Sequence, residues 1–397
     1  MNPSVVLACG ALVLMLSFGA RAGMGLYLLP LSEEYGWGRE IFSFAMAIQN
    51  LVWGALGPFA GGIADRYGAG RVVVLAGIAY VLGLVGMAIV DTPLLMYVNS
   101  GFLIGLGLAG TSFAIVFAVI ARAVPQERRS YALGIATAAG SFGQFVLLPV
   151  TQFLISQYGW QVALYGMAGI TALIVPLALA LAGRPAVHAG APQTIGGSLR
   201  EALGERGFHL LFWGFFVCGF HIAMLTVHLP SFVTDQGLRI EHGMTALALI
   251  GLFNIFGSYA WGRLGGRYTK KYLLSALYFI RAVAIALFVI APLSPWSVYL
   301  FAATIGFLWL GTVPLTNGLI AQVFGVQYLS TLGGSAFLFH QIGSFMGVWL
   351  AGYLFDGTGS YAVMWTLTIA MGIVAALVNL PIDERTIARP AAAVGTG

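Results

Sequence analysis

Charge is what this sequence has least of. Asp, Glu, Lys and Arg make up 8% of its 397 residues, where a soluble domain carries roughly 25%. A fold with so few charged side chains lacks the polar surface to stay dissolved. Hydrophobic residues are 59% of the chain, so the bilayer is the solvent that fits. Cysteine is nearly absent too. Cys9 and Cys218 each lie in an apolar run, which excludes a disulfide framework and leaves two free thiols. The N-terminal run lacks the leading Lys or Arg of a secretory leader. Ala20-Arg21-Ala22 looks like a small-residue cleavage site, but the apolar character continues to Leu31, so the first span is expected to be retained.

Carboxylates are missing from the apolar runs. All 13 Asp and Glu fall in loops, at span ends or in the tail. The net charge of +5 comes without a basic cluster interleaved with aromatics, so no nucleic-acid partner is expected. No cofactor and no metal are expected either. Gly105-Leu106-Gly107-Leu108-Ala109-Gly110 spells a dinucleotide fingerprint, but it lies inside an apolar run rather than between a strand and a helix.

What is present divides into twelve apolar runs of membrane-spanning length. They are Val5–Leu29, Ile41–Ala64, Val72–Val90, Leu94–Ile120, Tyr131–Ile155, Gln161–Ala182, Phe208–Val233, Met244–Leu264, Tyr272–Ala291, Trp296–Val323, Leu329–Leu354 and Tyr361–Leu380. Backbone groups in lipid must be satisfied within the span, which requires helices here. With a cytoplasmic N-terminus, the inner connections and the tail hold 14 of the 18 basic residues. The outer face holds only Arg39 and Arg239, among acidic Glu33, Glu34, Glu40, Asp91, Asp235, Glu241 and Asp356. That asymmetry obeys the positive-inside rule and predicts both termini in the cytoplasm of an inner-membrane protein.

The chain repeats itself at an offset of about 200 residues. Gly61-Gly62-Ile63-Ala64-Asp65-Arg66-Tyr67 answers Gly262-Arg263-Leu264-Gly265-Gly266-Arg267-Tyr268, and Gly134 and Gly143 answer Gly334 and Gly343. The expected architecture is an all-α membrane protein of twelve transmembrane helices in two pseudo-symmetric six-helix bundles. Residues 1–182 form the first bundle, 183–207 a cytoplasmic linker, 208–388 the second bundle and 389–397 a disordered tail. Parallel repeats of this kind place a substrate site between the halves near the midplane, reached alternately from either side. Of the 54 glycines, most lie within spans, where they let helices approach closely.

Two cations are stranded in the spans. Arg21 lies some ten residues, roughly 15 Å, from the outer end of its helix, too deep to snorkel easily. Charge at that depth costs about 3 kcal/mol or more and marks a site by default. Arg281 is similarly deep in the ninth span, where an anion and a structural partner are equally good readings. With no carboxylate at that depth, the field within the spans is positive and suits an anion, which a guanidinium can grip bidentately. His221, His228 and His340 also lie in spans and are candidates for carrying a proton. The expected substrate set is Arg21, Arg281, His221, Asn317, His340, Gln341 and Gln144.

Gly61-x-x-x-Asp65-Arg66-x-Gly68-x-x-Arg71 resembles the signature loop between the second and third helices of the major facilitator superfamily. In the second copy Gly266 stands where that Asp would be. On the fourth span Gly101 stands where an Arg precedes GxG in the family. Gly36-Trp37-Gly38-Arg39-Glu40, Pro125-Gln126-Glu127-Arg128-Arg129, His340-Gln341 and Phe355-Asp356-Gly357-Thr358-Gly359-Ser360-Tyr361 resemble the bacterial monocarboxylate-transporter-like branch, which is similar to the oxalate:formate antiporter. The resemblance implies a secondary transporter of small organic anions, proton-coupled or exchanging. It also implies that Asp65, with Arg66, Arg71 and Arg122, latches the cytoplasmic gate.

An exporter of hydrophobic drugs is the alternative within transport, although such exporters often carry acidic groups in their spans. A membrane-embedded enzyme using the three histidines is the alternative outside it; no paired carboxylate or nucleophile motif accompanies them. The expected partners are a small organic anion, protons and lipid, and the expected oligomeric state is a monomer.

Overall fold

The computed structural model describes residues 2–125, 129–181, 200–325 and 329–386. The tail expected over 389–397, most of the 183–207 linker and residues 126–128 lie outside the described residues.

Twelve long helical segments run through the described residues. They are α1 (Pro3–Tyr35), α2 (Arg39–Tyr67), α3 (Ala69–Ala88), α4 (Pro93–Ala123), α5 (Arg129–Tyr158), α6 (Trp160–Leu179), α7 (Arg206–Asp235), α8 (Ile240–Gly265), α9 (Lys270–Ile290), α10 (Pro295–Phe324), α11 (Leu329–Thr358) and α12 (Ala362–Asn379). Eleven are long and apolar enough to cross a bilayer. The exception is α11, which has 30 residues but carries His340 and Gln341 side by side. It is wedged between α7 and α2 rather than set against lipid, so it needs less apolar surface. Four helices are broken mid-course, α6 among them, at Leu173. A 3₁₀ turn, Gly23–Tyr27, interrupts α1. In α4, Thr111 and Ser112 leave the helix, and in α10 residues 309–311 do.

One apolar core is built mostly from α1–α6 and another mostly from α7–α12. These are the two six-helix bundles. The sequence repeat reappears as a repeated crossing. A Cβ on Gly143 of α5 would sit 2.0 Å from the Met15 carbonyl oxygen of α1. A Cβ on Gly343 of α11 would sit 1.9 Å from the Phe216 carbonyl oxygen of α7. Only glycine lets those backbones touch.

Between the bundles α2 lies antiparallel to α11. Near the face away from the chain termini (the far face) the two are in close contact. A Cβ on Gly352 would lie 2.5 Å from Ser43 Oγ, and one on Gly54 would lie 2.6 Å from Gln341 Cβ. Further along, towards the face that carries the termini (the terminus face), Gly57 and Gly61 of α2 and Gly334 of α11 have nothing within 4 Å of a Cβ. The pair therefore touches over its far half and parts over the rest. The bundles are shut at the far face and open at the terminus face.

Candidate anion site and far-face latch

Arg21 sits in α1 just before the 3₁₀ turn. One Nη donates to Asn50 Oδ1 of α2. Asn50 Nδ2 donates to the Met46 carbonyl at 2.9 Å, which fixes the amide so that its oxygen faces the arginine. The guanidinium carbon stands 5.0 Å from the centre of the Trp53 ring, a cation–π contact. Its Nε–H is buried and meets no acceptor among the described residues. No carboxylate lies within ion-pair distance of it among them either. On its far side a cavity of about 10 Å³, with Met24, Met46, Thr226 and Val227 in its walls, is no larger than a single water requires.

The structure does not bring Arg281 to this cavity. Arg281 is 1% exposed, and one Nη donates to the carbonyls of Leu308 at 2.5 Å and Trp309 at 3.0 Å. Those carbonyls are left without helical partners by the break in α10, and an unpartnered carbonyl in the membrane must be met by something. The other Nη lies 3.8 Å from Cys218 Sγ. Pseudo-symmetry supports a structural role. Cys218 pairs with Thr312 at 3.1 Å as Ser17 pairs with Thr111 at 2.7 Å. Tyr80, the counterpart of Arg281 at the same offset, donates to the Ser17 carbonyl. Arg281→Leu should therefore destabilise the purified protein by about 1–3 kcal/mol for each buried acceptor abandoned, seen as a lower melting temperature, while uptake per folded molecule persists. Equal losses in both would return Arg281 to the substrate set.

The other expected residues are dispersed. His221 Nε2 is directed away from the gap, onto the Thr368 carbonyl of α12 at 2.8 Å. Asn317 donates to the carbonyl one turn back, Val313, at 3.1 Å. Gln144 packs at the α5–α8 contact against Gly251. His340 lies parallel to Phe337 with ring centres 5.7 Å apart and bonds Gln341 Oε1 at 3.0 Å. Gln341 faces α2, and its Nε2 has no partner among the described residues. At the open face the Asp65 side chain lies outside the described residues. Arg66, Arg71 and Arg122 are exposed there, with Arg66 over its neighbour Tyr67.

A constellation that the sequence does not announce closes the far face. Arg39, at the start of α2 and 9% exposed, grips both oxygens of Asp235 at the end of α7, each at 2.6 Å. It donates to Tyr361 Oη at 2.9 Å and lies 3.7 Å over the Phe355 ring. Asp356, at the end of α11, accepts the backbone N–H of Arg39 at 2.9 Å and of Glu40 at 2.7 Å. A carboxylate of one bundle thus caps the helix N-terminus of the other, where the dipole favours it. Gly38 is required because a Cβ there would come 2.3 Å from Asp356 Oδ2. Beneath the latch, His228 meets Tyr361 Oη at 2.9 Å, the Val348 carbonyl at 2.9 Å and Ser43 Oγ at 3.2 Å.

The model of the Major Facilitator Superfamily matches residues 10–348. The chain belongs to that superfamily. It is 24% identical to an uncharacterized MFS-type transporter, YcxA, of Bacillus subtilis, over 89% of this chain and 88% of that protein. It is 26% identical to monocarboxylate transporter 11 of Mus musculus, over 90% of this chain and 82% of that one. Among solved structures it is similar to a D-xylose–proton symporter, with TM-score 0.75, 15% identity and coverage of 98% of this chain and 100% of that one. It is also similar to a bacterial homologue of the lysosomal transporter Spinster in an inward-facing, occupied conformation, with TM-score 0.75, 16% identity and coverage of 95% and 96%. This facilitator is thus a multi-pass membrane transporter of a small molecule, not an enzyme.

Its latch joins two of the glycine-rich stretches that carried the resemblance, Gly36–Glu40 and Phe355–Tyr361. One signal was available: Arg39 is one of only two basic residues on an otherwise acidic face.

Proposed function

We propose that this facilitator is a secondary carrier of a small organic anion across a bacterial inner membrane, with both termini in the cytoplasm. One observation carries the reading: a guanidinium at bilayer depth, between the bundles, with no carboxylate partner and an unsatisfied N–H among the described residues. A fixed charge in such a place is tolerated when a counter-charge visits it. The relatives described as monocarboxylate transporters and the lack of carboxylates in the spans support the same class of guest. Transport is driven by a proton or by exchange for a second anion, and the exposed Arg66, Arg71 and Arg122 close on Asp65 when the cycle shuts the cytoplasmic face.

Reconstitution into liposomes tests this. Labelled monocarboxylates and dicarboxylates should enter, and a pH gradient should accelerate uptake if a proton moves with them; counter-anion inside should do so if exchange operates. Uptake of neutral or cationic solutes only, with no carboxylate transported under either condition, would overturn the proposal.

A further inference from the structure

We infer that the guest at Arg21 is a monocarboxylate with an aromatic body, its carboxylate against Arg21 and its ring against Trp53 and the phenylalanines beside it. This rests on the anion reading above and sharpens it.

Charge sets the number of carboxylates. Arg39 is committed to Asp235 and Asp356, and Arg281 to the carbonyls of the α10 break. Arg21 is left as the cation facing the gap at mid-depth among the described residues. A second carboxylate on the guest would be desolvated without a counter-charge once the bundles close over it, which is strongly unfavourable. Arg21 is also not the only donor waiting there. Trp53, 8% exposed, has an Nε1–H with no acceptor among the described residues, as does Arg21 Nε–H. Two buried donors on stacked side chains suit one anionic group.

The walls set the body. On the far side of Arg21 the space is about 10 Å³, too small for anything beyond a water. The body must therefore extend towards the open terminus face, and that direction is aromatic. Phe18, one turn earlier in α1, meets Trp53 edge-on at 5.8 Å and Phe113 of α4 at 4.4 Å. Phe337 of α11 meets Trp53 edge-on at 5.3 Å. The Trp53–Phe337 contact crosses from one bundle to the other, so these rings border the gap rather than fill one core. Phe18, Phe113 and Phe337 are only half-buried, which leaves ring surface uncovered. A planar aromatic body would cover it in the edge and offset geometries that rings prefer, at roughly two- to tenfold in affinity for each ring contact. A two- or three-carbon chain would leave it wet.

Calorimetric titration of the full-length protein in lipid nanodiscs tests the inference with four probes: phenylacetate, propionate, succinate and phenylacetamide. Phenylacetate should bind at least about tenfold more tightly than propionate, with succinate and phenylacetamide weaker than both. Trp53→Leu should weaken both, propionate through the lost Nε1–H and phenylacetate through that donor and the lost ring, so that the gap between the two closes. Should that protein not fold, Phe337→Leu should narrow the gap between the two by several-fold. Propionate binding as tightly as phenylacetate would overturn the aromatic body and leave the anion site standing. Succinate binding most tightly would overturn the single charge. Phenylacetamide matching phenylacetate, or no carboxylate binding at all, would sink the anion reading and this inference together.

Discussion

Arg21→Ala should abolish uptake while the folded protein accumulates normally. Removing one partner of a desolvated charge–carboxylate contact costs about 2–5 kcal/mol, so uptake below saturation should fall roughly thirty- to several-thousandfold. The fold should not suffer. Among the described residues Arg21 makes one side-chain hydrogen bond, to Asn50 Oδ1; abandoning that acceptor costs about 1–3 kcal/mol, while Asn50 keeps its Nδ2 bond to the Met46 carbonyl. The substitution also removes a buried charge whose desolvation opposes folding. The two effects oppose each other, so the melting temperature of the purified protein should change little. Arg21→Lys should recover part of the uptake, since a lysine restores the charge but not the planar fork. Uptake and thermal melting measured on the same preparation separate this from Arg281→Leu, for which the pattern is reversed. Near-normal uptake by the alanine protein would take Arg21 out of the site.

The two arginines show where sequence reasoning stops. Hydropathy and the spacing of charges give the depth of a residue, and both guanidiniums are correctly placed deep in their helices. They do not give the direction in which a side chain leaves its helix. Arg281 is directed at carbonyls released where α10 breaks at residues 309–311; Pro314, which has no N–H to offer the Leu310 carbonyl, marks that break but does not say which side chain meets the freed groups. The Ser17–Thr111 and Cys218–Thr312 pairs were within reach of the repeat offset, but their meaning depends on knowing that both helices come apart there. The scaffold was far more readable. The apolar runs, the distribution of Lys and Arg and the 200-residue echo of glycines are each global patterns imposed by lipid and by internal symmetry. The ends of α1 and α11 run past the apolar runs, because helical geometry continues beyond the hydrocarbon wherever the chain caps itself. The latch escaped because its members lie 196 and 317 residues apart and ordinary charged residues at span ends look alike in one dimension.

The latch should govern which face of the carrier is open. Arg39, Asp235 and Asp356 pair across the bundles only while the far face is shut, so their contacts stabilise that state alone, and an interaction made in one of two states shifts the balance by its whole strength. The bidentate, largely desolvated Arg39–Asp235 contact and the capping of α2 by Asp356 are each worth about 1–3 kcal/mol. Losing the first should raise the far-open population roughly ten- to a hundredfold. Spin labels at the exposed Gln157 and Gln236, one on each bundle at the far face, would report this as a longer distance in Asp235→Asn and Arg39→Ala than in the parent. Cys218→Ser gives a suitable background with Cys9 also replaced, because Ser17 already occupies the equivalent position in the first bundle. The exchanged pair, Arg39→Asp with Asp235→Arg, should restore part of the closed population, which a merely destabilised bundle would not do. Binding of the anion should survive in the single variants while turnover drops, since Arg21 is untouched and only the closure that carries it past the membrane is weakened. Distances identical to the parent in both single variants would mean that the far face is held shut by the apolar contact of α2 with α11, and that the ion pair merely decorates a seal made elsewhere.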